Sequence, residues 1–438
     1  MKVATRFPPS PTGYFHIGGA RTALFNYLFA AHHGGTMYLR FEDTDKKRNK
    51  KEFEDDIVEG LEWLKIPYTL AEPPRQSERT ELYKKALSEL CASGKAYISK
   101  EPSKENPEVE VEVVRLKNPG AKVVFDDLTR GEVSFDTAEL KDFVIARNME
   151  EALYHFTVVV DDFDMKITHV IRGEDHISNT ARQILILEAL GYERPQYAHI
   201  PLILAPDKSK LSKRHGAVSV NEYRTQGYVP EAIVNYLALL GWNPGGEQEL
   251  FSLGELVQKF SLEHVHKSGA IFDTEKLRWF NREHLQKLSD AEFLKEVATR
   301  VPAWKKETLE KLAPIVRERL SIWGDLKTLQ DEFDFFFVQP KLDVKKLPGK
   351  GGDAASAKKH LSEVRKCLGA LPSSGSVDPE HVKSLVWDYA EKEGRGAVLW
   401  PLRYALTGRE KSPDPFVVAS VIGREAVLER LDAALKTL

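Results

Sequence analysis

The feature that most constrains the fold is a strand, turn, helix and strand pattern at the start of the chain. Residues 2–7 alternate strand-forming side chains with shorter or polar neighbours. A turn rich in proline and glycine follows, and residues 20–31 then place apolar side chains on one helical face, up to a stop at Gly34 and Gly35. Residues 37–41 predict a second strand. Two strands joined by a helix predict parallel pairing, and therefore an α/β sheet with helices packed against it.

This α/β pattern is interrupted and later resumes. Residues 91–154 begin with a Pro- and Glu-rich stretch and continue as short strands between turns, which predicts an insertion between two halves of the first domain. Strand-like segments at 157–160 and 167–171, a helix at 177–190 and a strand at 201–205 restore the pattern. Helical periodicity dominates the remainder. A chain of 438 residues is too long for one ordinary core, so about three domains are expected.

Charge, hydropathy and cysteine content exclude several classes of protein. The net charge is only −3, so any contact with RNA must use local basic patches. No window has the apolar length of a membrane span, and the first residues lack a signal-peptide pattern, so no membrane partner is expected. Cys91 and Cys367 cannot supply a four-ligand zinc site without several converging histidines. We expect no zinc, and a reducing cytoplasm fits best.

The turn after the first predicted strand is a candidate phosphate site. Gly13, Gly18 and Gly19 lie where the strand turns into the helix, and glycine lets a nucleotide approach the backbone closely. A helix N-terminus offers free N–H groups and a positive dipole end to phosphate, and His16 can donate a hydrogen bond to a phosphate oxygen. Taken alone, these residues fit a tight turn with an incidental histidine equally well.

A second candidate phosphate site lies far downstream, in the sequence KLSKR at residues 210–214. It supplies three cations, Lys210, Lys213 and Arg214, and the hydroxyl of Ser212. Lysine stabilises phosphoryl transition states as a point charge. A charge run by itself is more often a solvated loop. The two motifs in this order, bracketing an interrupted α/β domain, favour a single ATP site built from both.

The amino-acid sequences of these motifs resemble those of a known family. A histidine and glycines after strand one, with a late lysine-serine-lysine loop, resemble the class I aminoacyl-tRNA synthetases, and the fuller sequence is similar to bacterial-type glutamyl-tRNA synthetases. The matching segments are RFPPSPTG (6–13), HIGGARTALFN (16–26), RFEDTD (40–45), VDD (160–162), ITHVIRGEDH (167–176), PLI (201–203), LLGW (239–242), FDTEKL (272–277) and PLRYALTG (401–408). The resemblance therefore covers nearly the whole chain.

The resemblance implies a fold with four parts. An α/β Rossmann-type catalytic domain would be split over 1–90 and 155–205, around an inserted α+β connective domain at 91–154 that binds the acceptor end. A stem-contact domain with the KLSKR loop would follow at 206–290, and an all-α anticodon-binding region at 291–438.

The resemblance also implies roles for particular residues. His16, Lys210 and Lys213 would be catalytic, with Lys213 closest to the transferring phosphates. The implied ATP-binding residues are Pro9, Ser10, Gly13, His16, Gly18, Gly19, Lys210, Leu211, Ser212, Lys213 and Arg214. The implied glutamate-binding residues are Arg6, Ser10, Glu42, Tyr154 and Arg172. Two arginines suit the two carboxylates of glutamate, Glu42 suits its ammonium, and the Tyr154 hydroxyl can donate; no residue is implied as a metal ligand.

The implied reaction has two steps. ATP activates L-glutamate to glutamyl-adenylate with release of pyrophosphate, and glutamate is then transferred to the 3′-terminal adenosine of tRNA(Glu). Because the attacking carboxylate is ionised at neutral pH, the first step needs positioning and positive charge and no strong base. Mg²⁺ would accompany ATP as its counter-ion. The family default is a monomer.

One segment departs from the family pattern. The family usually has Arg-Ser-Asp-Gly before Pro-Thr-Tyr, whereas residues 146–154 read ARNMEEALY and keep only Arg147 and Tyr154. Three alternatives to a glutamate–tRNA ligase selective for tRNA(Glu) stay open. They are a non-discriminating ligase that also charges tRNA(Gln), a nucleotidylyltransferase that shares the first motif, and a catalytically impaired tRNA-binding paralogue. The sequence leaves the tRNA identity elements undetermined, as well as whether activation requires bound tRNA.

Overall fold

The computed structural model describes residues 2–45, 47–69, 72–103, 106, 108–211, 219–349, 351–373 and 377–438. The chain divides into two compact units, Met1–His284 and Leu285–Leu438. The elements that begin in the first unit are β1 (Ala4–Phe7), α1 (Ile17–His32), β2 (Thr36–Leu39), α2 (Lys51–Trp63), α3 (Thr80–Ala92), β3 (Ala96–Pro102), β4 (Glu110–Leu116), β5 (Lys122–Asp127), β6 (Gly131–Asp136), β7 (Phe143–Asn148), β8 (Glu151–Ala152), α4 (Tyr154–Asp164), β9 (His169–Gly173), α5 (Ile177–Leu190), β10 (Gln196–Ile200), β11 (Ile203–Leu204), α6 (Val220–Gln226), α7 (Pro230–Leu239), α8 (Leu253–Lys259), β12 (Ala270–Ile271) and α9 (Thr274–Gln286).

Parallel strand pairing in the first unit confirms the α/β prediction. β1 pairs with β2, and β9 pairs with β10, each in parallel register. Thr168 N donates to the carbonyl of Ala4 at 2.9 Å, and Ala4 N donates to Thr168 Oγ1 at 2.8 Å, which sets β1 beside β9. The carboxyl ends of parallel strands meet at one edge of a sheet, and ligands of α/β proteins bind at that edge. Phe7 and Gly173 end two of these strands, so the segments that follow β1 and β9 share the edge.

The helix after β1 begins earlier than the sequence predicts. α1 starts at Ile17 and not at residue 20, because His16 is its N-cap and accepts a hydrogen bond from Gly19 N at 3.0 Å. Histidine is an uncommon cap, so the usual sequence signal for a helix start is missing here. The N-terminus of α1 consequently lies within the glycine-rich turn, where its free N–H groups are available.

The strand-like run at 157–160 is wrong as a strand prediction. These residues lie in α4 and are buried. α4 packs with α3 and α5 in a hydrophobic core that also takes in buried side chains of the inserted strands, among them Val114 and Ile145. A helix that is buried on several sides favours apolar residues whatever their backbone preference. When those residues are β-branched, the sequence of the helix has the pattern of a strand.

The inserted segment forms two strand groups. β3, β4, β7 and β8 make an antiparallel sheet. β5 and β6 form a hairpin whose strand β5 joins β10 in parallel through the pair Tyr197 and Asp127. The β5–β6 hairpin is therefore an extension of the sheet that carries β9 and β10.

The described residues of the second unit form helices, in agreement with the prediction of a helical C-terminal region. Its α-helices are α10 (Asp290–Arg300), α11 (Lys306–Arg319), α12 (Leu326–Glu332), α13 (Ala354–Leu368), α14 (Pro379–Glu393), α15 (Arg395–Thr407) and α16 (Pro415–Thr437). The last four contact one another pairwise, and α16 is kinked at Gly423, which has a positive φ of 82°.

Candidate active site

A cavity of about 820 Å³ lies at the carboxyl edge of the parallel strands. Its wall brings together the predicted residues Arg6, Ser10, Gly13, His16, Gly18, Gly19, Glu42, Tyr154, Arg172, Lys210 and Leu211. Pro9 is not in this wall; its carbonyl accepts a hydrogen bond from Glu42 N at 3.0 Å and so fixes the Glu42 backbone. Ser212, Lys213 and Arg214 lie outside the described residues.

Arg6 belongs to a buried network of charged side chains. Its Nε donates to both carboxylate oxygens of Asp162, at 3.2 and 3.1 Å. Arg40 Nη1 donates to Asp162 Oδ1 at 2.8 Å, and Arg40 Nη2 donates to Glu42 Oε1 at 3.1 Å. Burial would raise the pKa of Asp162, but the two arginines outweigh it and lower that pKa. Arg6 is thereby held by its Nε side, and its Nη1 has no hydrogen-bond partner within the described part of the chain.

Arg172 is held in a similar way on the neighbouring strand, β9. Its Nε donates to His199 Nε2 at 3.1 Å, and its Nη2 donates to Thr180 Oγ1 at 2.7 Å. The side chain is 6% exposed, and burial lowers its pKa. Its Nη1 has no hydrogen-bond partner among the residues that the structure describes. Two buried guanidinium groups therefore lie in one cavity wall, and guanidinium is the side-chain group best matched to a carboxylate.

Glu42 and Tyr154 complete the polar wall beside the arginines. Glu42 is 6% exposed, and burial raises the pKa of its carboxyl to about 7 although Arg40 and Arg6 oppose the shift. The Tyr154 hydroxyl lies 3.3 Å from His176 Nδ1, and burial raises its pKa to about 12, so it stays protonated. Burial also lowers the pKa of His176 to about 4, so its ring is neutral at pH 7.

The altered segment before Tyr154 forms a tight hairpin. β7 and β8 pair at Asn148 and Glu151, and Leu153 N donates to the carbonyl of Ile145 at 2.8 Å. This bond places Tyr154 at the first turn of α4 and in the cavity wall. The changed residues therefore do not remove Tyr154 from the cavity.

The geometry of His16 fixes which of its nitrogens can donate. Its Nδ1 accepts from Gly19 N, so a neutral ring carries its proton on Nε2. Partial desolvation by the surrounding protein lowers the pKa of His16, and the nearby charge of Lys210 lowers it further. A Cβ on Gly18 would lie 3.1 Å from His16 Nδ1, which is a close contact, whereas a Cβ on Gly13 would meet nothing within 4 Å. Gly18 thus makes room for the histidine ring, and Gly13 borders open space.

Lys210 reaches the same cavity from the second motif. Its Nζ lies 3.1 Å from Asp175 Oδ2, and the side chain remains largely exposed. Lys210 also forms an isolated antiparallel β-bridge with Leu204 of β11, which connects this segment to that strand. Lys210 and Leu211, the described residues of the second motif, therefore line the same cavity as the glycine-rich turn.

The sequence did not predict several residues that belong to this site. Asp162 and Arg40 lie in segments that match the family pattern, yet nothing in their spacing pairs them with Arg6. An acidic pair after the apolar run 157–160 was a usable signal, because charged residues beside a buried run require partners. His199 gave no such signal.

Metal and membrane features are absent from the part of the chain that is described. No group of three or more His, Cys, Asp or Glu side chains there could hold a metal ion. None of the described helices is both long and apolar enough to cross a membrane.

Comparison with known proteins gives consistent matches over the whole chain. A family model described as tRNA synthetases class I (E and Q), catalytic domain, matches residues 2–112 and 99–279, and an anticodon binding domain model matches 281–435. The chain is 42% identical to Glutamate--tRNA ligase 1 of Coxiella burnetii (strain CbuK_Q154), over 99% of this chain and 98% of that protein. It is 38% identical to Glutamate--tRNA ligase of Desulforamulus reducens, over 100% of both. A crystal structure of a glutamate tRNA ligase from Elizabethkingia meningosepticum in complex with its amino acid has a TM-score of 0.88 at 32% identity and covers 100% of each chain.

Proposed function

Because the chain belongs to the class I tRNA synthetases of the glutamate and glutamine group, we propose that its cavity binds L-glutamate beside ATP and forms glutamyl-adenylate. The chain is a glutamate–tRNA ligase, an aminoacyl-tRNA synthetase. One observation carries the pocket assignment: Arg6 and Arg172 are buried in one cavity wall, and each keeps a terminal nitrogen without a hydrogen-bond partner among the described residues. Glutamate brings two carboxylates, which are the groups that guanidinium binds best.

The remaining polar groups of the wall suit the rest of the amino acid. The ionised carboxylate of Glu42 attracts the substrate ammonium, while Arg40 and the backbone bond to Pro9 hold it in place. The Tyr154 hydroxyl donates to a substrate oxygen. Glutamine would present a neutral amide to one arginine and leave that guanidinium unpaired in a buried site, which selects for glutamate.

The first chemical step is an in-line displacement. An oxygen of the glutamate α-carboxylate attacks the α-phosphorus of ATP, the bond from that phosphorus to the bridging oxygen breaks, and pyrophosphate leaves with the electron pair. His16 donates from Nε2, and Lys210 supplies positive charge beside the phosphates. The N-terminus of α1 adds N–H groups. The proposal for Ser212, Lys213 and Arg214 rests on the motif alone.

The second step transfers the amino acid to RNA. A hydroxyl of the terminal ribose of tRNA(Glu) attacks the activated carbonyl carbon, and AMP leaves. The helical region that matches the anticodon binding domain model would bind the other end of the tRNA.

Mg²⁺ is proposed to enter the site bound to the ATP phosphates. The two carboxylates of the cavity wall, Glu42 and Asp175, already pair with Arg40 and Lys210, so neither is proposed as a Mg²⁺ ligand. A monomer in the cytoplasm is proposed from the family and from the two unpaired cysteines.

Replacing Tyr154 with phenylalanine is expected to weaken glutamate binding moderately. The change removes one hydroxyl and leaves the ring, so the loss is that of one hydrogen bond, about 5- to 10-fold in the KM for glutamate. The KM for ATP should stay within about twofold. Steady-state aminoacylation with each substrate varied in turn measures both, and an equal rise in the two constants would contradict the role.

The reaction should depend on pH through Glu42. Its pKa of about 7 in the free protein means that the carboxyl takes up a proton as the pH falls below that value, and the neutral acid no longer attracts the ammonium. We expect kcat/KM for glutamate to fall about tenfold per unit below pH 7, and to level off above it. The profile of Glu42→Gln should lack this inflection at a lower overall value. An unchanged inflection in that variant would assign it to another group.

The function is tested by charging purified tRNA(Glu), and separately tRNA(Gln), with labelled glutamate and ATP. Charging of tRNA(Glu) alone is the expected result, and charging of both would identify a non-discriminating ligase. Binding of tRNA without charging would support an impaired paralogue. Transfer of an adenylyl group from ATP to a mononucleotide, with no charging of either tRNA, would support a nucleotidylyltransferase.

A further inference from the structure

A chain of hydrogen bonds leads from the inserted hairpin to Arg172. Asp127, the last residue of β5, accepts from His199 Nδ1 at 2.6 Å through Oδ2. The other ring nitrogen, His199 Nε2, accepts from Arg172 Nε at 3.1 Å. Asp127 and His199 are 3% and 0% exposed, so water cannot replace either bond. Neither residue is in the cavity wall, so neither can touch a substrate there.

The partners of His199 allow one protonation state only. Arginine is always a donor, so His199 Nε2 must be an acceptor, and the ring proton must lie on Nδ1, facing Asp127. Thr180 Oγ1 lies 3.1 Å from the same Nε2 and can donate to it as well. Burial lowers the pKa of His199, which keeps the ring neutral despite the carboxylate.

Asp127 in turn is held so that it can only accept. Its Oδ1 accepts from the backbone N–H groups of Thr129 and Arg130, at 3.0 and 2.9 Å, in the turn of the hairpin. Its Oδ2 faces the His199 ring and lies 3.1 Å from His199 N. The turn therefore fixes the carboxylate, the carboxylate fixes the tautomer, and the tautomer presents an acceptor to Arg172.

We propose that Asp127 and His199 are positioning residues for glutamate binding, in which the Asp127 carboxylate selects the His199 tautomer that holds the Arg172 guanidinium toward the substrate. This proposal rests on the proposed function of Arg172 as a carboxylate ligand. It makes the β5–β6 hairpin of the insertion a structural part of the amino-acid pocket.

Asp127→Asn is the informative variant. The two backbone donors of the turn require an oxygen at the Oδ1 position, so the new amide must turn its NH₂ group toward His199. His199 then carries its proton on Nε2, where it opposes the Arg172 Nε–H. We expect the KM for glutamate to rise about 10- to 100-fold and the KM for ATP to stay within about twofold.

His199→Gln provides the matched background. The glutamine amide oxygen can accept from Arg172 Nε, so this variant should lose no more than about fivefold in kcat/KM for glutamate. Glutamine has no tautomer, so adding Asp127→Asn to it should cost less than in the wild-type background, because only the hydrogen bond from the backbone N–H of residue 199 to Oδ2 is then lost. His199→Leu keeps the bulk without an acceptor and should resemble Asp127→Asn. Val123→Ala, which trims a buried side chain of β5 away from these bonds, controls for loosening of the strand.

The outcomes separate the possible explanations. A selective rise in the KM for glutamate in Asp127→Asn that largely disappears in the His199→Gln background supports the proposal. Equal effects of Asp127→Asn in both backgrounds, or an effect no different from that of Val123→Ala, would overturn it. If Arg172→Ala leaves the KM for glutamate unchanged, the proposed role of Arg172 in binding glutamate is wrong, whatever the effects of the Asp127 and His199 variants. Thermal unfolding of each full-length variant identifies any that fail to fold. If Asp127→Asn alone fails to fold, the KM for glutamate of His199→Gln and of the double variant decides between these outcomes.

Discussion

Arg172→Met is expected to raise the KM for glutamate by about 100- to 1,000-fold and to leave the ligand-free protein as stable as before, or more stable. The loss of affinity follows from removing a buried donor group that we propose binds a substrate carboxylate, and such a removal typically costs about 2–5 kcal/mol. The retained stability follows from the partners of Arg172. Within the described residues its hydrogen bonds go to His199, Thr180 and a backbone carbonyl, and to no carboxylate. A buried cation without a paired anion is costly to fold, and methionine fills similar space without that charge.

Arg6→Met is the matched comparison, because both arginines face the same cavity. Arg6 pairs with Asp162, so its removal leaves that buried carboxylate with Arg40 as its one hydrogen-bonded cation among the described residues. We expect Arg6→Met to lose glutamate affinity to a similar extent and also to lower the free energy of unfolding, by about 1–3 kcal/mol.

Thermal unfolding and aminoacylation kinetics of the two variants measure these effects together. The wild-type protein should show a rise in Tm with added glutamate, and both variants should lose that rise. The two variants should then differ in the Tm of the ligand-free protein, with Arg6→Met the lower. A ligand-free Arg172→Met protein that unfolds well below wild type would show that Arg172 is a structural residue, and an unchanged KM would remove it from the pocket.

Local features of the sequence predicted the framework, because they depend on neighbouring residues. The glycine-rich turn followed by a helix, and the parallel pairing of β1 and β2, required only periodicity and turn chemistry. The run at 157–160 failed under the same reasoning. Strand propensity there is overridden by packing, since α4 lies between other helices and the inserted strands.

The partners that orient the site could not be predicted, because they are distant in the sequence. Arg6 and Asp162 are 156 positions apart, and Asp127 and His199 are 72 positions apart. Such pairs leave no periodic signal, and each partner has an ordinary surface role as its default interpretation. The family resemblance supplied Arg6 and Arg172, which we propose bind the substrate. The structure supplied the residues behind them.

His16→Asn should separate the two roles that His16 combines. Asparagine is a favourable N-cap, so it can accept from Gly19 N in place of His16 Nδ1 and preserve α1. It cannot extend a donor to the position of the His16 Nε2–H, which we propose stabilises the charge that develops on the phosphate. We therefore expect kcat for the activation step to fall about 10²- to 10³-fold, with Tm unchanged and the KM for glutamate within about twofold.

His16→Ala is the control, since it removes both the cap and the donor. It should show the same loss of kcat and, in addition, a stability loss of about 1 kcal/mol. Single-turnover formation of glutamyl-adenylate, measured with tRNA(Glu) bound, isolates the step on which His16 acts. Full activity of His16→Asn would assign His16 to the cap of α1 alone. An equal Tm loss in both variants would mean that the asparagine does not replace the cap, and the measured kcat would then have to be compared at matched folded fractions.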